Sequence, residues 1–180
     1  MPGFIPWLLL LFLVTAAATW AARRYAIHRQ LVDQPGERRS HSIATPRGGG
    51  IAIVVALLLA AVVLGSQASS DAGLFAAFGV GLLLVAGIGW WDDHRPLPAS
   101  WRLLVHLLAA LIFAAALYRH GAPAWQAGLA VMAILVLVNV WNFMDGIDGL
   151  ATSQALLVAV AVAFFMNGPW SWLAAALFAA

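Results

Sequence analysis

The chain is a succession of long apolar runs separated by short polar breaks. Six runs, at about 4–22, 49–66, 73–91, 101–118, 124–141 and 150–166, approach the roughly 20 residues with which an α-helix crosses a hydrocarbon core. A seventh begins near Trp170 and stops at Ala180, too short to span. The pattern predicts an all-α, polytopic transmembrane helix bundle of six complete spans and a truncated seventh. Residues 1–180 read as one membrane-embedded domain, incomplete at its C-terminus and thus the N-terminal portion of something longer. No soluble domain, linker or internal repeat interrupts it.

Composition sharpens this picture. Hydrophobic residues make up 64% of the chain and charged residues 9%. An ordinary soluble domain has about 25% charged residues. Trp20, Trp90, Trp91, Trp101, Trp125, Trp141 and Trp170 fall near predicted helix ends, where an amphipathic ring suits the headgroup zone. No basic residue precedes the first run, so that run is expected to be an uncleaved helix rather than a signal peptide. The absence of cysteine excludes disulfides and thiol chemistry. The formal charge of +2 is carried in membrane-flanking loops rather than along a groove-facing stripe, which argues against nucleic acid as a partner.

Charge also orients the chain. The first polar break carries Arg23, Arg24, Arg29, Arg38, Arg39 and Arg47, whereas the second carries none. The positive-inside rule puts the first break in the cytoplasm and the N-terminus outside. Counting spans then places 92–100 and 142–150 in the cytoplasm too. The outward breaks are short and poor in chemistry. Every polar constellation therefore falls on one side of the membrane, although only arginine counts entered the assignment.

There are three such constellations. The first runs through His41 to Thr45, Arg47 and the glycines Gly48, Gly49 and Gly50, just before the second span. Glycines ahead of a helix let the backbone approach an anion, and the helix N-terminus offers N–H groups to it. Arg38, Arg39, His41 and Arg47 are cations able to reach the same anion. Arg23, Arg24 and Arg29 read instead as anchors to anionic headgroups.

The second constellation is Trp91-Asp92-Asp93-His94-Arg95. Adjacent carboxylates repel unless they share a cation or a proton, which Mg²⁺ or a phosphate would supply. The alternative is a pair of solvated loop acids with His94 and Arg95 as counter-charges. Arg102 and His106 follow four apart on one helix face. Arg102 is expected to snorkel to the interface, and His106 to make a helix-packing hydrogen bond.

The third is Asn139-Val-Trp-Asn-Phe-Met-Asp-Gly-Ile-Asp-Gly-Leu-Ala151. Asn139, Asn142, Asp145 and Asp148 recur every third residue. Gly146 and Gly149 predict an interrupted helix, and such breaks line polar cavities in membranes. The amides can fix the carboxylates, and the carboxylates can hold a hard cation through oxygen. The plainer alternative is a polar turn in which Asp148 caps the sixth helix. Charges at membrane-helix ends are costly to keep without a role. Four aspartates in two such places therefore suggest a metal–phosphate site at a membrane surface.

The segments HSIATPRGGG, WWDDHRPL with WRLLVHLLAA, and NVWNFMDGIDGLA resemble the polyprenyl-phosphate N-acetylhexosamine-1-phosphate transferase family, glycosyltransferase family 4. That family includes the phospho-N-acetylmuramoyl-pentapeptide transferase of peptidoglycan synthesis. The form NFMDGIDG looks more like the branch that initiates O-antigen and other envelope polysaccharides. The resemblance implies transfer of a sugar 1-phosphate from a UDP-N-acetylhexosamine to undecaprenyl phosphate, with release of UMP. It implies a need for Mg²⁺, with Mn²⁺ as a second candidate. It also implies a multi-pass protein of the bacterial inner membrane, its active site facing the cytoplasm, with a homodimer as a further expectation. Carried over, Asp92 matches the acid that engages or deprotonates the lipid phosphate, and Asp93 its partner. Asp145 matches the Mg²⁺ ligand, with Asp148 beside it. Asn139 and Asn142 match the family's amides in the nucleotide site, and His41, Thr45, Arg47, Gly48 and Gly49 are further candidates for substrate binding. The family's His-rich cytoplasmic loop lies beyond residue 180.

Other classes compete. A catalytically inactive membrane fragment fits the truncated pattern. An ion-coupled transporter fits intramembrane acids, although these cluster on one side rather than at mid-membrane. A phosphotransferase using CDP-alcohols would carry a DG followed by Ala-Arg and two later aspartates, which this chain lacks.

Overall fold

The computed structural model describes residues 3–33, 45–144, 149–166 and 168–180. Within them the chain forms α1 (Phe4–His28), β1 (Val32–Asp33), β2 (Thr45–Pro46), α2 (Ile51–Gln67), α3 (Ala72–His94), α4 (Ala99–Arg119), α5 (Ala124–Met144), α6 (Leu150–Phe165) and α7 (Pro169–Ala179). Helices thus stand on all six apolar runs and on the shorter seventh. The all-α polytopic reading holds, and the chain is a multi-pass membrane protein. Four of the helices, α1, α3, α4 and α5, are both long and apolar enough to cross a bilayer. At 17 and 16 residues, α2 and α6 are shorter.

Burial explains why these helices need a membrane. No residue is buried in the most apolar 18-residue window of α5, the part running up to Asn142. In water such a helix would leave its whole circumference unpaid for by the hydrophobic effect; in hydrocarbon the same surface costs nothing. Trp20, Trp91, Trp101 and Trp125 are exposed near helix ends, as interfacial tryptophans should be.

The chain divides into two compact units, Met1–Ala60 with Phe143–Ala180, and Ala61–Asn142. In the first, α7 packs on both α1 and α6. Phe4 meets Trp172 edge-on, with ring centroids 5.4 Å apart. Trp7, Leu11 and Thr15 recur every fourth residue and are buried, which marks the protein-facing side of α1. The antiparallel ribbon of β1 and β2 pairs Val32 with Pro46 and Asp33 with Thr45. It was not anticipated, because two residues per strand leave no readable alternation.

The second unit is dominated by the α3–α4 hairpin. Gly81 on α3 lies so near α4 that a Cβ there would be 3.7 Å from the Ala109 carbonyl oxygen. Small residues permit that approach, the usual means of helix association where lipid is as apolar as the protein. Contacts between an acidic and a basic side chain stand at both ends. Arg102 Nη1 is 3.1 Å from Asp92 Oδ2 at the turn. His120 Nε2 is 3.5 Å from Asp71 Oδ1 at the open end. With 23 residues, α3 is about 34 Å long, so the two pairs bracket a hydrocarbon core of about 30 Å.

The α2–α3 corner is tighter still. A Cβ on Gly65 would lie 3.0 Å from the Cβ of buried Phe75. Gly65→Ala should therefore lower stability by about 1–3 kcal/mol despite alanine's better helix propensity. Gly128→Ala, where a Cβ meets nothing within 4 Å, should be neutral or mildly stabilising. Thermal unfolding in detergent of the two variants checks the contrast.

Candidate active site

Asp92 and Asp93 lie in the last turn of α3, and proline decides how the chain leaves that turn. Arg95 precedes Pro96 and is extended, with φ −145° and ψ 106°, as a residue before proline must be. Its N–H still donates to Trp91 O at 2.8 Å, the last bond of α3. Pro98 then caps α4, whose first turn closes when Trp101 N–H donates to Pro98 O at 3.1 Å. So short a turn folds residue 102 back over residue 92.

Both oxygens of Asp92 are engaged as a result. Oδ1 accepts the Leu97 N–H at 2.7 Å, and Oδ2 accepts from Arg102 Nη1 at 3.1 Å. The two side chains are 26% and 35% exposed, so the pair is partly withdrawn from water yet open to a ligand from the surface. Asp93 is half-buried beside it. The alternative reading of this pair as solvated loop acids gives it His94 and Arg95 as counter-charges. Instead Arg102 fills that role for Asp92, and His94 Nδ1 lies 2.8 Å from Trp90 O with its ring 4.6 Å from the Trp90 ring. Sequence reading treated Arg102 as a snorkelling residue. The signal that it pairs with Asp92 is the Pro96–Pro98 spacing, which keeps the turn short. The packing bond expected of His106 is not made at Nδ1, which is buried and has no hydrogen-bond partner among the described residues.

The glycine cradle belongs to the other compact unit. Gly48 has φ +84°, a left-handed conformation that glycine adopts without steric cost. That bend brings the chain from the ribbon into α2. Arg47 N–H donates to Leu31 O at 2.9 Å, tying the approach to the end of α1. The Ile51 and Ala52 amides close turns on Gly48 O and Gly49 O, at 3.2 Å each, so they are partly spent. A Cβ at Gly49 or Gly50 would meet nothing within 4 Å, so the space beside those two residues is open. Thr45 is half-buried in the ribbon.

Asn139 and Asn142 lie in the last two turns of α5. Asn139 Nδ2 donates to Leu135 O at 2.7 Å, one turn back, and Asn142 is exposed. The helix ends at Met144, and α6 starts at Leu150 behind Gly149, with φ +77°. The interruption expected at Gly149 is present, and Gly146 lies outside the described residues. No side chain caps α6 with a hydrogen bond among the described residues. His41, Asp145 and Asp148 lie outside the described residues.

Thr45, Arg47, Gly48 and Gly49 thus fall in the first unit, and Asp92, Asp93, Asn139 and Asn142 in the second. Among the described residues, no three His, Asp or Glu side chains are grouped to hold one metal ion. What the described part does show is Asp92, with Asp93 beside it, fixed at the end of a membrane helix by an arginine and a backbone amide.

A family profile described as Glycosyl transferase family 4 matches residues 75–180, more than half of the chain and inclusive of the acidic pair. The chain belongs to glycosyl transferase family 4. Within the curated proteins it is 32% identical to the decaprenyl-phosphate N-acetylglucosaminephosphotransferase of Mycobacterium tuberculosis, over 87% of this chain and 43% of that protein. It is 29% identical to the probable undecaprenyl-phosphate N-acetylglucosaminyl 1-phosphate transferase of Bacillus subtilis, over 86% of this chain and 45% of the relative. The phospho-N-acetylmuramoyl-pentapeptide-transferase of Thermosynechococcus vestitus is 26% identical, over 91% and 50%. The chain spans about half or less of the length of these relatives. No solved structure matches it significantly.

The geometry separates two contributions of Asp92. Asp92→Asn keeps an acceptor for the Leu97 amide and loses the charge facing Arg102; Asp92→Ala loses both. The first should cost up to about 1 kcal/mol and the second about 1–3 kcal/mol. Amide exchange at Leu97 should accelerate about tenfold in Asp92→Ala and little in Asp92→Asn. Equal acceleration in both would remove the Leu97 bond from the account.

Proposed function

We propose that this protein transfers an N-acetylhexosamine 1-phosphate from a UDP-sugar to undecaprenyl phosphate, releasing UMP, on the cytoplasmic side of a bacterial inner membrane. One observation carries the reading. In a family whose relatives are named for polyprenyl-phosphate acceptors and N-acetylglucosamine phosphate transfer, Asp92 is held at the end of a membrane-spanning helix with Asp93 beside it. That is where the phosphate of a lipid buried in the same bilayer must lie. Initiation of an O-antigen or a related envelope polysaccharide is the pathway we assign to it.

In the reaction an oxygen of the lipid phosphate attacks the sugar-bearing phosphorus of the donor. A new phosphorus–oxygen bond forms to the lipid, and the bond to the bridging oxygen breaks. That oxygen leaves with UMP and takes the electron pair. A phosphate monoester loses its second proton near pH 6, so the nucleophile is largely ionised at neutral pH and needs placement more than deprotonation. Arg102, fixed by Asp92, presents its remaining N–H groups for that placement. Arg47 and the amides beside Gly48 and Gly49 would hold donor phosphate oxygens.

The donors that the sequence supplies, Asp92, Asp93, Asp145 and Asp148 with the amides of Asn139 and Asn142, are all oxygen ligands, and cysteine is absent. That set fits a hard cation such as Mg²⁺ rather than a soft one. Asp145 and Asp148 would hold it, and when bound it would neutralise charge on the diphosphate.

Membranes carrying the full chain, given undecaprenyl phosphate and Mg²⁺, should release UMP from at least one of a panel of UDP-N-acetylhexosamines. Asp145→Asn should reduce that release at least a hundredfold. Undiminished turnover in the variant would remove the metal-ligand assignment, and no release from any donor would overturn the reaction. Ion-dependent flux without UMP would favour a transporter instead.

A further inference from the structure

The arginine-bearing end of α1 has a construction that the transfer reaction does not use. With 25 residues, α1 is about 37 Å long, against a hydrocarbon core of about 30 Å. Its last turns therefore project into the headgroup layer. Those turns carry Arg23, Arg24 and His28, and α1 contains no acidic residue.

Trp20, Arg24 and His28 are spaced by four and form one strip along the helix. Trp20 is nine residues from buried Leu11, half a turn round the helix, so the strip begins on the side opposite the protein contact. All three side chains are exposed, Trp20 by 62%. The Arg24 guanidinium lies 4.8 Å from the centre of the Trp20 ring. A stacked guanidinium keeps its N–H groups in plane and directed outward. Among the described residues, no carboxylate pairs with Arg23, Arg24 or His28. Cations at a helix C-terminus are favoured by the helix dipole in any case. The dipole alone accounts neither for a stacking tryptophan nor for placement opposite the protein contact.

We propose that the Trp20–Arg24–His28 strip is a docking site for the phosphate of an anionic phospholipid headgroup. The Arg24 N–H groups hold the phosphate oxygens, Trp20 fixes the guanidinium plane at the depth of the headgroups, and His28 and Arg23 flank the anion. The occupant is a bilayer phospholipid, since the strip faces outward along a membrane-crossing helix. The inference stands independently of the transfer reaction.

The full chain in nanodiscs of equal phosphatidylglycerol and phosphatidylcholine, released and weighed by native mass spectrometry, tests it. The wild-type chain should retain phosphatidylglycerol over phosphatidylcholine by about tenfold. The preference should vanish in Arg24→Gln/His28→Gln and fall about threefold in Trp20→Leu, which leaves every charge in place. Arg119→Gln, in the last turn of α4, should keep it. Because the strip is exposed, the packing of the helices is untouched, and Trp20→Leu provides a second reading that does not rest on the double variant. Retention of the preference in the double variant, equal loss in Arg119→Gln, or displacement of phosphatidylglycerol by an equal mole fraction of undecaprenyl phosphate would each overturn the proposal.

Discussion

Hydrocarbon offers no partner to a charge, and that constraint orders the molecule. Nearly two-thirds of the chain is apolar, so its few charged groups are pressed to helix ends, where water and headgroups can solvate them. Once confined there, they meet one another. Asp92 meets Arg102 at one end of the α3–α4 hairpin, and Asp71 meets His120 at the other. The spacing between these pairs is the thickness that the helices must span. A site assembled from such residues is delivered to the membrane surface by the physics that makes the helices span.

Helix packing then sets the precision. Lipid removes any hydrophobic drive for helix association, so close approach and shape must suffice. Gly81 lets α3 near the Ala109 carbonyl, and Gly65 lets α2 near Phe75. The consequence for chemistry is direct. Asp92 and Arg102 are ten residues apart on different helices, and their 3.1 Å contact exists only while α3 and α4 remain in register. Proline supports that register, because Pro96 and Pro98 stop one helix and start the next with little chain between them.

Much of this was legible in the sequence. Run length alone located the helices, since the period of a membrane span is its thickness rather than an alternation of faces. The break before α6 was legible from Gly149, and the family from NFMDGIDG with the acidic pair. Side-chain partners were not legible. One alternative made His94 and Arg95, the nearest basic residues in sequence, the counter-charges of the acidic pair, whereas the turn brings Arg102 to Asp92. His106 was expected to find a packing bond, and its Nδ1 has none among the described residues. Long-range pairing depends on loop geometry, which two prolines decide and which no periodicity encodes. The β1–β2 ribbon escaped for a related reason: it rests on tertiary position rather than on strand pattern.

The central claim is that a lipid phosphate captured at the acidic helix ends attacks the sugar-bearing phosphorus of a nucleotide sugar. The most direct test supplies a UDP-N-acetylhexosamine radiolabelled in the phosphate next to the sugar and follows the label into the organic phase. The account predicts that this phosphate moves to the lipid together with the sugar, and only when undecaprenyl phosphate is present. Label that stays in water while the sugar moves, or label that never reaches the lipid, would contradict it.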